Sequence, residues 1–135
     1  MIDILDYLLY LCRSLGINYK ISDELDSSIP DISVPSQRKI IINANYGTNV
    51  EVAFRLAHEI SHVMLGNYEE NCIYQFSIGT RRVSEREANE NAVKILGKFV
   101  YADTPVEYRN YVNFMNEFGL PSSFEPMVED IIKEI

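Results

Sequence analysis

Residues 38–65 read RKIIINANYGTNVEVAFRLAHEISHVML, and this one stretch contains both kinds of secondary structure that the chain uses. Lys39, Ile40, Ile41, Ile42 and Asn43 form a compact run of β-branched residues. Such side chains pack well on a pleated surface, so a strand is expected. Thr48 with Glu51 three residues later has the form of a capping box, in which each side chain satisfies a backbone N–H of the other. It predicts a helix that runs to about Leu65 and stops at Gly66 or Asn67. Just upstream, Ile32 and Val34 alternate with polar neighbours, and Pro35, Ser36 and Gln37 supply a turn. The spacing predicts an antiparallel hairpin.

Helices flank this segment. In residues 2–15, Ile2, Leu5, Leu8, Leu9 and Cys12 recur at helical spacing, with Gly16 as a stop. Residues 17–30 read as irregular and acidic. Downstream, Ser84 with Glu87 forms a second capping-box pattern, and Thr104 with Glu107 a third, with Pro105 at the first helical position and Gly119 near the end. A last amphipathic helix carries Phe124, Val128, Ile131, Ile132 and Ile135. The strands are confined to residues 31–44, so the expected class is α+β, with a small antiparallel sheet packed on a compact helical body. No repeat or linker divides residues 1–135, which are read as a single domain.

Composition narrows the function classes. Apolar residues make up 47% and charged residues 24%, ordinary for a globular chain able to bury its own core. The net charge of −8 argues against direct contact with a nucleic acid backbone, since basic residues come only in short pairs such as Arg81–Arg82. No apolar run reaches the roughly 18–20 residues that span a bilayer, so no membrane role is expected. Asp3 and Asp6 stand where an export signal carries Lys or Arg. Cys12 and Cys72 have no metal or redox spacing. The expected compartment is therefore the cytoplasm.

The chemistry lies in His58-Glu59-Ile60-Ser61-His62. Three fixed residues recur by chance about once in 8,000 positions, and both histidines of the chain fall in this one motif. Residues four apart share a helix face, so the two imidazoles can converge on one metal, and Glu59, displaced by one residue, reaches a bound water instead. A catalytic zinc needs a third protein ligand and an open fourth position. No third histidine exists, so the ligand is sought among Asp, Glu and Cys. In residues 84–99, Ala88, Ala92, Ile95 or Leu96, and Phe99 form an apolar stripe that Glu85 extends by one turn. Glu87 and Glu90 fall with Asn91, Lys94 and Lys98 on the polar face. A carboxylate on a buried stripe is costly unless paired or metal-bound, which selects Glu85. Asn89, four residues on, is placed either to hydrogen-bond a ligand histidine or to face solvent. Two neutral imidazoles and one carboxylate leave a zinc centre at +1, able to acidify water and polarise a carbonyl. Glu59 is then the general base that passes a proton from water to the leaving amine. Cys72 is read as a small buried hydrophobe.

His58–His62 followed by Glu85-Arg86-Glu87-Ala88-Asn89, with the strand RKIIIN and the helix RLAHEISHVML, resembles the ImmA/IrrE family of metallo-endopeptidases over about residues 30–100. The chain departs from that family's common pattern at Asn91, where an aromatic residue is frequent, and at residues 98–101. The resemblance implies a compact zincin-like domain with one Zn2+ per chain, and His58, His62 and Glu85 as ligands. It also implies cleavage of a protein substrate, a helix-turn-helix transcriptional repressor of a mobile element or stress response. Two other readings stand beside it. In one, the chain is a non-catalytic, metal-containing module that regulates a repressor or toxin partner; in the other, a closed metal site serves structure alone. Tyr68 and Tyr74 are candidate transition-state hydrogen-bond donors by loop position.

Overall fold

The computed structural model describes residues 3–66, 74–75 and 83–135. Tyr68, Cys72 and the Arg81–Arg82 pair lie outside them, as do Ile2 and the side chain of Tyr74. The described elements run α1 (Ile4–Ser14), β1 (Asn18–Ser22), β2 (Ile32–Val34), β3 (Lys39–Asn43), α2 (Val52–Leu65), β4 (Tyr74–Gln75), α3 (Val83–Val100), α4 (Tyr111–Phe118) and α5 (Glu125–Glu134). The class is α+β, as expected.

Helix α1 starts on Asp3, whose Oδ1 accepts the Asp6 N–H at 2.8 Å. It buries Leu8 and Cys12 and stops where Gly16 takes φ +67°, a conformation that costs glycine little. Burial pushes the Cys12 thiol up to about 11, which makes it inert packing. The expected hairpin is present: β2 and β3 pair antiparallel with Ser33 opposite Ile40. A single 3-10 turn, Pro35–Gln37, joins them. Arg38 leaves that turn at φ +49°, and its guanidinium donates to the Leu15 carbonyl at the end of α1.

The sheet is mixed rather than antiparallel. Its order is β1-β3-β2-β4, and β1 pairs parallel to β3 with Tyr19 opposite Ile40. Residues 18–22 read as irregular because β1 is an edge strand whose Asn18, Lys20 and Ile21 are exposed, so no alternation marks it. It is recruited by the open edge of β3, where the Asn18 N–H donates to Arg38 O at 2.8 Å and the Ala44 N–H to Ser22 O at 2.8 Å.

The three capping boxes are not formed. Thr48 Oγ1 instead accepts the Val50 N–H at 3.2 Å in a local turn, and α2 begins later, after Glu51, with no side-chain cap. Ser84 lies inside the first turn of α3. After Thr104 the chain makes only a 3-10 turn, Val106–Tyr108, and then breaks. Arg109 is extended there, and its Nη1 donates to Ile132 O at 2.7 Å and Ile135 O at 2.6 Å, covering carbonyls that the end of α5 leaves open. Asn110 then caps α4, which Gly119 ends at φ +67°. A Cβ at Gly119 would stand 1.9 Å from Asn49 O, so this glycine also permits the close approach of α4's end to the entry of α2.

Helix α2 is the centre of the molecule. Every residue from Phe54 to Val63 is buried, between the sheet on one side and α3 on the other. Helix α5 closes the far side of α3 with Val128, Ile131 and Ile132. It comes so near that a Cβ at Gly97 would meet the Ile132 and Ile135 methyls at 2.9 and 2.6 Å. A helix buried all round has no solvent face for polar groups, so each one it carries must find a partner inside.

Candidate metal centre

The polar groups that α2 carries inward at its middle are His58, Glu59 and His62. Opposite them the first two turns of α3 bury Glu85 and Asn89, whereas Glu87 and Glu90 are exposed. The helical phase therefore selects Glu85, as the apolar stripe predicted. Asn91 departs from its expected place on the polar face: its Nδ2 donates to Ser61 Oγ at 3.0 Å. Ser61 in turn donates to the Ala57 carbonyl at 2.7 Å. This bond and the α2–α3 packing keep the two helices in register beside the cluster.

The carboxylate of Glu85 straddles both imidazoles. Its Oε2 stands 3.0 Å from His58 Nε2, and its Oε1 stands 2.9 Å from His62 Nε2. The two Nε2 atoms are 3.1 Å apart, and the rings meet edge to face at 83°. On the other side of His58, Nδ1 lies 2.8 Å from Asn89 Oδ1. An amide oxygen only accepts, so Nδ1 carries the proton and, in the neutral ring, Nε2 presents its lone pair. That lone pair faces a carboxylate oxygen and another imidazole nitrogen. Three nitrogen and oxygen donor atoms converge at hydrogen-bond distance inside the protein, an arrangement that a cation or a shared proton among them would stabilise. The donor set fits a metal ion. The ligand atoms of His58, Glu59 and His62 lie within 4.8 Å of one another, so this buried group could hold one.

The carboxyls on the two helices differ in protonation. Burial pushes the Glu85 carboxyl up, but the two imidazoles beside it, in any state that places a proton between them and the carboxylate, outweigh burial and bring the group down to about 2. Burial lowers His62 below the usual imidazole value and His58 lowers it further, while Glu85 works the other way. Glu59 is the opposite case. Burial pushes it well above the usual carboxylate range, the Asp31 and Glu85 carboxylates add to the rise, and only the Ser33 hydroxyl opposes it. Neither Glu59 oxygen has a hydrogen-bond partner among the described residues, and His58 Nε2 stands 3.9 Å from Oε1. A fully buried carboxyl with raised proton affinity, approached by the Ser33 hydroxyl but outside hydrogen-bond geometry, is equipped to exchange a proton with a bound molecule.

The sequence reading missed a second buried cluster one turn earlier on α2. Arg55 Nη1 donates to both oxygens of Asp31, at 2.9 and 2.8 Å, and to Asn43 O at 3.1 Å. A buried arginine at helical spacing from the motif was visible, but its partner lies 24 residues away and nothing local marks it. Ser33 was missed as well; its hydroxyl is buried on β2 without a partner by ordinary hydrogen-bond geometry.

Taken together, these distances define a buried two-histidine, one-carboxylate centre beside a carboxyl that has no hydrogen-bond partner among the described residues. Comparison with protein-family models, with curated proteins and with solved structures returns no match. Among the described residues, no helix is long and apolar enough to cross a membrane.

Proposed function

We propose that this protein is a zinc-dependent endopeptidase of the cytoplasm that acts on a helix-turn-helix repressor or a similar regulatory protein. The observation that carries the reading is the Glu85 carboxylate spanning both Nε2 atoms while Glu59, the next residue after His58, is buried with no hydrogen-bond partner among the described residues. Donor atoms sharing one tetrahedral zinc at about 2.0–2.1 Å stand about 3.3–3.4 Å apart. The three donors here, at 2.9–3.1 Å, need to spread by only a few tenths of an ångström to take it.

His58, His62 and Glu85 would hold the ion, and Asn89 favours the His58 tautomer whose Nε2 carries a lone pair that can ligate. Zinc there would polarise the scissile carbonyl and acidify water. Glu59 accepts the proton of the attacking water at its carboxylate and returns it to the departing amine. Its raised proton affinity suits delivery of the proton to the amine, and the positive charge of a bound zinc would favour the ionised form that accepts it. Neutral His62 and anionic Glu85 are the ligating forms; burial favours the first, and the neighbouring imidazoles favour the second.

The test is cleavage of purified helix-turn-helix repressors by the zinc-loaded protein, with Glu59→Gln as control. The expected result is one repressor cut at a defined bond, with the rate falling by about 10²–10⁴-fold in the variant while zinc is retained. A repressor that binds without being cut, equally well to wild type and Glu59→Gln, contradicts the protease reading in favour of a metal-containing binding module.

A further inference from the structure

Arg55 and Glu59 stand four residues apart on α2, a spacing at which opposite charges on a helix meet. Both are buried, Glu59 completely. Yet they do not pair. The guanidinium is turned to Asp31, donating from Nη1 to Oδ1 at 2.9 Å and to Oδ2 at 2.8 Å. Its Nε donates to Val50 O at 3.1 Å, and the cation lies 5.8 Å from the centre of the Tyr46 ring. Asp31 is in turn fixed by the Asn43 N–H at 2.7 Å. The two oxygens of Glu59, meanwhile, have no hydrogen-bond partner among the described residues. A buried carboxyl one turn from an arginine can ionise and pair with it, because each charge then offsets the cost of burying the other. It stays uncaptured because a second carboxylate holds the arginine in place.

We propose that Asp31 is a positioning residue for Glu59: by holding Arg55 it keeps that cation off the Glu59 carboxylate and leaves the carboxylate open to a bound molecule. The functional sense of this rests on the reading of Glu59 as a base, but the arrangement can be tested without substrate or turnover. With Asp31 neutralised, Arg55 keeps its buried charge and loses its partner. Glu59 is the carboxylate one turn away on the same helix, and a fixed Arg55–Glu59 ion pair would occupy the atoms that the base needs.

The experiment is a set of urea unfolding curves at one pH on the protein as purified, with its metal content recorded. In the wild-type background Glu59→Gln leaves the midpoint unchanged or raises it, because it removes an unpaired buried carboxyl. In the Asp31→Asn background the same change lowers the midpoint, because it removes the new partner of Arg55. In the Asp31→Asn/Arg55→Met background the effect returns to neutral or positive. That reversal of sign is not expected if Asp31 serves the fold alone. An effect of Glu59→Gln that is neutral or positive in the Asp31→Asn background overturns the proposal. So does an Asp31→Asn protein that fails to fold while Asp31→Asn/Arg55→Met folds, since Arg55 then found no second partner. If neither folds, the Arg55 Nε–Hε resonance decides: it stays in place in Glu59→Gln if Asp31 holds Arg55, and its displacement contradicts the proposal. Failure of the zinc reading would register separately, as absent metal.

Discussion

Two buried ionic clusters sit one turn apart on α2 and differ in how completely they are satisfied. Around Arg55, Asp31 and Asn43 the buried charges are matched. The guanidinium has two carboxylate oxygens and two carbonyls, Asp31 also takes the Asn43 N–H, and the Asn43 amide spans the carbonyls of Asp26 and Ile29. Around His58, His62 and Glu85 the donor atoms of two imidazoles and a carboxylate converge, and the Glu59 oxygens have no hydrogen-bond partner among the described residues. The first cluster ties the loop of residues 23–31, the end of β3 and the start of α2 into one unit. The second is a buried group that could hold a metal ion. Buried polar groups that are fully paired support the fold, and those left unpaired inside the same core are where chemistry is to be sought.

The contrast can be broken in either cluster. The largest effect on folding is expected from Arg55→Ala, which strands Asp31 as an uncompensated buried charge. Unfolding in urea should show a loss of about 3–5 kcal/mol. A loss below about 1 kcal/mol would mean that water reaches Asp31 and that the cluster is not sealed. Next is Asn89→Ala, which frees the His58 ring to choose either tautomer. Zinc affinity measured by competition with a chelator should weaken by about 10–100-fold, with little change in the folded baseline. An unchanged affinity would remove Asn89 from the centre. The smallest effect is expected from Glu87→Ala on the exposed face of α3, within about 0.5 kcal/mol in stability and with no change in metal affinity. Since Glu87 and Glu85 are only two residues apart, this variant separates helical phase from simple proximity to the motif.

Much of this arrangement was legible in the sequence, for identifiable reasons. The spacing of His58 and His62 and the phase of Glu85 against Ala88 and Ala92 are properties of one helix each, and local periodicity reports them directly. The hairpin of β2 and β3 was equally local. The parallel pairing of β1 was not, because Asn18–Ser22 meets β3 across a long connection and buries almost nothing of its own. The capping boxes at Thr48, Ser84 and Thr104 failed because Ser or Thr three residues before Glu is a common pairing, and tertiary contacts decided where each helix begins. At Arg109 that contact is the open end of α5. The Arg55–Asp31 pair joins residues 24 apart in the chain, and only the fold brings them together.

The most direct test of the metal centre is zinc content, measured by atomic emission on protein purified from metal-replete medium, for wild type, Glu85→Ala and Glu87→Ala. About one zinc per chain in wild type and in Glu87→Ala, with loss in Glu85→Ala, is the result the converging donors predict. Metal absent from all three, or retained in Glu85→Ala, would contradict the assignment of His58, His62 and Glu85 as the zinc ligands.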